Sequence, residues 1–209
     1  MPEPHVVDHP LVARHLAVLR DRRTPSAVFR QRLSDISMLL LYEALRGLAT
    51  REEQIDTPLE TTVGRRLAGD IVVVAILRAG LGMTDGALRL LPEARVGHLG
   101  MYRDEDSLTP VGYYESVPSG VGDAEAVVVA DPMLATGGSA INALSRLRDE
   151  GARRLQFVCL VAAPEGVAAL SEAHPDVPIT CAAVDAHLDE RGFIRPGLGD
   201  AGDRIFGTE

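Results

Sequence analysis

Lysine is missing from this chain of 209 residues: all 21 basic residues are arginine, against 30 acidic ones, for a net charge of −9. That absence excludes Schiff-base chemistry on a lysine amine and any lysine clamp on a phosphate. The acid excess argues against nonspecific nucleic-acid binding, which needs many basic contacts to phosphates. A polyanionic ligand must therefore be attracted locally, by arginine, by converging backbone amides or by a divalent cation. Cysteine is scarce too. Cys159 and Cys181 each lie in an apolar run and read as reduced core thiols of a cytoplasmic protein, not as a disulfide or metal pair. The six histidines (5, 9, 15, 98, 174 and 187) show no metal-ligand spacing. No apolar run is long enough to cross a membrane, and the first residues lack the apolar core of a signal sequence. The length suits a single domain over residues 1–209 with a substantial core.

Two common phosphate-binding signatures are also absent. A Walker A loop needs Lys beside Ser or Thr. The dinucleotide fingerprint needs G-x-G-x-x-G after an early strand. In their place stands Val127-Val128-Val129-Ala130, a buried-strand pattern, followed by Asp131, Pro132, Met133, Leu134, Ala135, Thr136, Gly137, Gly138 and Ser139. Here an acid sits at a strand's carboxyl end, where α/β sheets bind ligands, and a helix is expected to start near Ser139. The small residues let backbone N–H groups converge, two hydroxyls add donors, and the helix N-terminus favours an anion. Asp131 is placed to accept sugar hydroxyls or Mg-bound water, so the pair of features suits a phosphorylated sugar.

Periodicity extends the pattern along the chain. Residues 10–20 read as a helix with Leu11, His15, Val18 and Leu19 on one side. Thr24-Pro25-Ser26 reads as a cap for a second helix carrying Phe29, Leu33, Ile36, Leu40 and Ala44, with Gly47 as its C-cap. Residues 50–68 are weakly patterned, with one short strand or arm expected at Glu60–Val63. Ile71–Leu77 reads as a strand buried on both faces, Leu81–Leu91 as a helix and Val96–Tyr102 as a strand. Ile141–Arg148 is a crossover helix, after which 155–161, 165–174 and 179–184 repeat strand, helix, strand. This alternation predicts an α/β fold, a mostly parallel sheet flanked by helices. Residues 103–120 read as an exposed hairpin or flap, with Asp104-Glu105-Asp106-Ser107 at its start.

Asp131–Ser139 resembles the phosphoribosyl-diphosphate motif of type I phosphoribosyltransferases, in the form with Pro132 in place of a second acid that is similar to uracil phosphoribosyltransferases. Further blocks agree, in order, over essentially the whole chain: His9-Pro10-Leu11-Val12, Ile76–Met83, Met101-Tyr102-Arg103-Asp104, Val161–Gly166, His174–Val177 and Pro196–Arg204. The resemblance implies transfer of a phosphoribosyl group to uracil in pyrimidine salvage, giving UMP and diphosphate. It implies the type I fold with an N-terminal helical arm, a flap hairpin and a C-terminal hood. Phosphoribosyl-diphosphate contacts are expected from Arg78, Arg103, Asp131–Ser139 and Asp200. Ile194, Gly199, Asp200 and Ala201 are expected to hold uracil, largely through backbone groups, and Asp131 and Asp200 are the candidate catalytic acids. Mg²⁺ is expected on the diphosphate, held mainly by substrate and water. Also implied are a homo-oligomer, dimer or higher, and GTP as effector in some members.

Three departures from the family pattern touch affinity more than reaction type: Ala75 where proline is usual, Phe193 where tyrosine is common, and Arg195 where an aliphatic residue is common. Arg78, at an apolar strand end, reads as a buried guanidinium in need of anionic company. A purine transferase would need another C-terminal hood than the Gly199-Asp200-Ala201 block. An RNA-binding regulator on the same fold would need a basic face that this chain lacks, and a catalytically silent nucleotide sensor is the third alternative.

Overall fold

The computed structural model describes residues 3–103 and 110–208. A short strand β1 (His5–Val6) precedes helices α1 (Pro10–Arg20) and α2 (Ser26–Ala44) and strands β2 (Thr50–Asp56), β3 (Thr61–Leu67) and β4 (Ile71–Leu77). Helix α3 (Leu81–Leu90) leads to β5 (Arg95–Arg103), β6 (Pro110–Ser116), β7 (Ala126–Ala130) and β8 (Met133–Leu134). Helix α4 (Gly138–Asp149) is followed by β9 (Leu155–Val158), β10 (Val161–Ala162) and helix α5 (Pro164–Ala173). The order ends with β11 (Ile179–Cys181), β12 (Ala183–Val184), β13 (His187–Leu188), β14 (Ile194–Arg195) and helix α6 (Ala201–Phe206).

Seven strands form the central sheet in the order β1-β11-β9-β7-β4-β5-β6. All neighbours are parallel except β5 and β6. The inner strands are continuous apolar runs because both faces are covered. Along β4, Val73 faces the core built with Phe29, Leu33 and Met83 of α2 and α3, whereas Val72 and Val74 face Leu144 and Leu147 of α4. The α/β reading therefore holds, with helices on both faces.

Several local expectations are corrected. On α1 the buried face is Val12, His15, Leu16 and Leu19, while Leu11 is 46% exposed. No side chain caps α2: Pro25 is its N-cap, and the Thr24 hydroxyl donates to the Val18 carbonyl instead. Helix α2 ends at a Leu45 cap, so Gly47 lies beyond it. The weakly patterned stretch after α2 is a hairpin of two seven-residue strands, β2 and β3. Most of its side chains face solvent, so it carries no apolar alternation to read. Helix α4 starts at Gly138, beside the expected Ser139 and ahead of the 141–148 run, because Gly137 takes the left-handed conformation (φ 86°) as its N-cap. The runs read as strands at 155–161 and 179–184 each split in two. The Leu160 and Val161 amides both turn to the Pro132 carbonyl (3.0 and 3.1 Å), which swings the chain out of the central sheet. Strands β8, β10 and β12 consequently form a separate three-stranded parallel sheet. The expected flap begins as the antiparallel β5–β6 pair, and Asp104–Ser107 lie outside the described residues. Among the described residues no helix is long and apolar enough to cross a membrane.

Glycine 80 fixes how closely the turn after β4 meets the end of β7. A Cβ there would lie 2.6 Å from the carbonyl oxygens of both Ala130 and Ile76, backbone atoms that cannot step aside. Gly80→Ala is expected to cost about 1–3 kcal/mol by overpacking. At about 2–4 °C per kcal/mol for a chain of this size, the loss is readable by thermal denaturation. An unchanged Tm would show that this turn is not tightly packed.

Candidate active site

Strands β4 and β7 are adjacent and parallel, with Ala75 opposite Ala130, so both leave the sheet at the same edge. Arg78 lies in the turn after β4 and Asp131 directly follows β7. Between them opens a cavity of about 250 Å³ bounded by the Arg78 turn, Met101, Asp131, Asp200 and Gly202. The Leu77–Arg78 peptide is cis.

Asp131 is half-buried at the cavity floor, its Oδ1 accepting the Met133 amide at 3.3 Å. Its carboxyl is pushed up to about 7, first by burial and then by the nearby Asp200 charge, with the Met133 N–H opposing. Beside it, Asp131 and residues 133–140 line a smaller cavity of about 80 Å³. No basic side chain contributes to that lining. Its walls come instead from the glycine-rich turn, Thr136, Ser139 and the start of α4, groups whose amides and hydroxyls can receive an anion. Gly137 makes the turn possible, since its φ of 86° disfavours any side chain. Of the predicted run, Pro132 lines neither cavity. It is buried, and its carbonyl is occupied by the Leu160 and Val161 amides.

Arg78 differs from its reading as a buried guanidinium: its side chain is 57% exposed. One Nη stands 3.4 Å from Asp203 Oδ1, and the guanidinium lies 6.0 Å from the Phe206 ring centroid. Asp203 Oδ1 also accepts the Thr208 hydroxyl at 2.6 Å. Arg103 ends β5, so its backbone reaches the same end of the sheet. The Arg103 side chain lies outside the described residues.

A third cavity, of about 490 Å³, opens under the hood formed by β13, β14 and the turn before α6. Ile194, Gly199 and Asp200 line it, as expected, together with Arg191, Phe193, Arg195 and Asp203. Ala201 does not line it: its methyl is fully buried, leaving only its backbone near the site. Asp200 caps α6, its Oδ1 accepting the Asp203 amide at 3.0 Å. The departures fall into place. Arg195 donates through Nε to Asp189 Oδ2 at 2.8 Å, and Phe193 lies under the Arg191 guanidinium, 5.3 Å from its centroid. Ala75 is fully buried in the β4–β7 ladder.

The hood is tied to α1 by contacts the sequence did not reveal. Arg20 donates to both oxygens of Asp185 (2.8 and 2.6 Å) and to the Gly197 carbonyl (2.7 Å). Asp185 Oδ2 accepts the Gly197 amide at 2.9 Å. Arg204 donates to the Leu198 and Asp21 carbonyls at 2.8 and 2.7 Å and to that of Leu19. Asp203 was likewise missed, although it is the second acid of the Gly199–Asp203 block. Among the described residues no group of three or more His, Cys, Asp or Glu side chains is placed to hold a metal ion. Asp131 and Asp200 are the carboxylates at the 250 Å³ cavity.

Comparison with known proteins agrees with this geometry. A sequence profile described as uracil phosphoribosyltransferase matches residues 6–208. The uracil phosphoribosyltransferase of Salinibacter ruber is 57% identical over 203 residues, 97% of this chain and 96% of that protein. That of Listeria innocua is 54% identical over 206 residues, 98% of each. The solved AQ2163 protein of Aquifex aeolicus superposes with a TM-score of 0.94 at 36% identity over 99% of both chains. The Mycobacterium tuberculosis orotate phosphoribosyltransferase, solved with 5-phospho-α-D-ribosyl 1-diphosphate, gives a TM-score of 0.52 at 14% identity over 87% of this chain and 96% of that one. This last likeness concerns the fold alone. With a profile match and relatives of this identity over nearly its whole length, the chain belongs to the uracil phosphoribosyltransferase family.

Proposed function

We propose that the chain joins uracil to 5-phospho-α-D-ribose 1-diphosphate, releasing UMP and diphosphate, as a pyrimidine salvage enzyme. The observation that carries the reading is a line of three cavities that share acids. Asp131 borders both the 80 and the 250 Å³ spaces, and Asp200 both the 250 and the 490 Å³ spaces. Phosphate, ribose with diphosphate, and base fit that sequence of spaces. The Thr136–Ser139 turn holds the 5′-phosphate through amides and hydroxyls. Asp131 accepts ribose hydroxyls, Arg78 and Arg103 take the diphosphate, and Ile194, Gly199 and Asp200 hold the base.

Chemistry then asks for position and charge stabilisation rather than a covalent intermediate. The C1–oxygen bond to diphosphate breaks, uracil N1 bonds to C1 from the opposite face, and N1 loses its proton. Arg78 offsets charge on the departing diphosphate. Asp200, at the junction of the two larger cavities, is the acceptor placed nearest the base. Two carboxylates without a third ligand suit Mg²⁺ that arrives on the substrate's own oxygens, where it supplies charge neutralisation. The same reading treats the chain as one catalytic domain and places it in the cytoplasm, where its two buried free thiols stay reduced. It also includes a homo-oligomer and a GTP effector, to be checked by light scattering and by rate with and without GTP. Diphosphate release with uracil, cytosine, hypoxanthine and adenine tests the activity itself.

Asp131→Asn separates function from stability. The variant keeps volume but loses a charge-assisted acceptor worth about 1.5–3 kcal/mol, so kcat/KM should fall about 10- to 100-fold. Burial pushes the carboxyl up to about 7, above the ordinary value of about 3.9, so between those values the folded state retains a proton that the unfolded chain loses. Stability contributed by this group is present below about pH 4, falls as pH rises through about 7, and stays lost above. Asn is spared that loss. Its Tm should exceed the parent's at pH 8 and approach it near pH 5. A variant with unchanged kinetics removes Asp131 from the site, and a Tm gap independent of pH refutes the raised carboxyl.

Base choice tests the hood. Uracil presents an N3–H donor between two carbonyl acceptors, an order that fixed backbone groups can match. Cytosine reverses two of those contacts, each leaving a buried unpaired polar group at about 1–3 kcal/mol, so discrimination of roughly 10³-fold is expected. Ile194→Ala should raise the KM for uracil through lost packing while keeping the preference. Comparable turnover of the two bases would remove the uracil pocket from this hood.

A further inference from the structure

The block Val161-Ala162-Ala163-Pro164-Glu165-Gly166 lines none of the three cavities, yet it touches the walls of two. Strand β10 is the middle of the small parallel sheet. On one side Val161 and Ala162 pair with Met133 and Leu134, the first part of the phosphate loop, and the Ala163 amide donates to the Leu134 carbonyl at 2.9 Å. On the other side they pair with Ala183 and Val184, and the Asp185 amide donates to the Ala162 carbonyl at 2.8 Å. Asp185 is the hood's anchor to Arg20.

The two residues that end the block extend both attachments. Gly166 presses the N-terminal turn of α5 onto the back of the phosphate loop. A Cβ there would lie 2.7 Å from the Leu134 carbonyl oxygen and would overlap that of Ala135. Space for Gly137 is limited in turn by the Gly166 carbonyl. Glu165 reaches the other way, its Oε1 accepting the Leu188 amide at 3.0 Å. Leu188 is the β13 residue opposite Ile194 of β14. Because α5 is seated on the phosphate loop by Gly166, the Glu165 carboxylate holds the hood strand at a fixed distance from that loop. The Leu188 N–H also holds this carboxyl below the usual carboxylate range, so it stays an ionised acceptor at neutral pH.

We propose that Glu165 is a positioning residue for base binding, setting Ile194 and the hood relative to the 5′-phosphate loop through the Leu188 amide. Glu165 itself lines none of the three cavities. Its effect is on where the base sits with respect to a ribose already anchored by its phosphate, and it rests on the reading that Ile194 lines the base pocket.

Steady-state kinetics of Glu165→Ala, Glu165→Gln and Ile194→Ala test this. Glu165 is exposed at the start of α5, so neither substitution at 165 opens a cavity. Loss of the acceptor should raise the uracil KM about 3- to 10-fold, with the phosphoribosyl-diphosphate KM and kcat within about twofold. Glutamine retains an acceptor oxygen and should restore the uracil KM. The proposal is overturned if alanine leaves the uracil KM unchanged, if both substrate KM values rise together, or if glutamine is as damaging as alanine. Ile194→Ala separates the two failures. If it raises the uracil KM while Glu165→Ala does not, only the positioning role is lost. If it leaves the uracil KM unchanged, the base-pocket reading falls, and the route through Ile194 with it.

Discussion

Because β4 and β7 run parallel with Ala75 opposite Ala130, the turn bearing Arg78 and the residue Asp131 are delivered to one edge by backbone pairing. Closeness is then limited only by what stands between the two turns, and at Gly80 nothing does: the Ala130 carbonyl occupies the space a Cβ would need. The glycine-rich turn of residues 132–139 continues from Asp131, and the hood closes over Asp200, which shares the central cavity with Asp131. Displacing the β4 turn by a methyl's width would therefore move the guanidinium relative to every other part of the site. Strand pairing, rather than a network of side chains, supplies the precision.

An acidic chain without lysine has to receive a polyanion, and the charge layout indicates how. The smallest cavity has no cationic side chain, so an anion there meets amide dipoles and a helix N-terminus. At the central cavity Arg78 faces two carboxylates, Asp131 and Asp200, and leans on a third, Asp203. The Arg78–Asp203 pair is half in solvent, where such pairs are worth little, so releasing that carboxylate costs little. Burial pushes the Asp131 carboxyl up to about 7, which weakens its negative charge at neutral pH.

What the sequence disclosed follows the range of the interaction. Strand β4, helix α3 and the strand–acid–turn from Val127 to Ser139 are written in contiguous residues, and apolar runs with glycine punctuation suffice to place them. The Arg20–Asp185 pair spans 165 positions and Arg78–Asp203 spans 125, so no local pattern could announce either. An apolar run such as 155–161 gives the burial but not the sheet. Whether Val161 continues β9 or turns toward β8 is decided by the Pro132 carbonyl, which belongs to a distant segment. Ile194, Gly199 and Asp200 as base-pocket residues came from the family resemblance, since glycine and proline near a chain end carry no chemistry of their own. The exposed Arg78 shows the opposite case, where an apolar neighbourhood in sequence does not mean burial in space.

The small sheet of β8, β10 and β12 gives these long-range attachments a common structure. Strand β8 belongs to the turn that follows Asp131, β12 leads into the hood, and two residues of β10 join them. Its length is only two residues per strand, so ladder bonds alone cannot hold it; Ala162 and Leu134 are also buried beneath α4 and α5. The hood is gripped from the far side by Arg20 and Arg204, which bond mainly to carbonyls of residues 19–21 and 197–198 and to Asp185. A reaction that moves C1 of a phosphate-anchored sugar toward a base held elsewhere depends on the separation of those two anchors. In this fold that separation is set by backbone pairing through β10 on one side and by arginine on carbonyls on the other, which leaves the cavity walls free for the substrates.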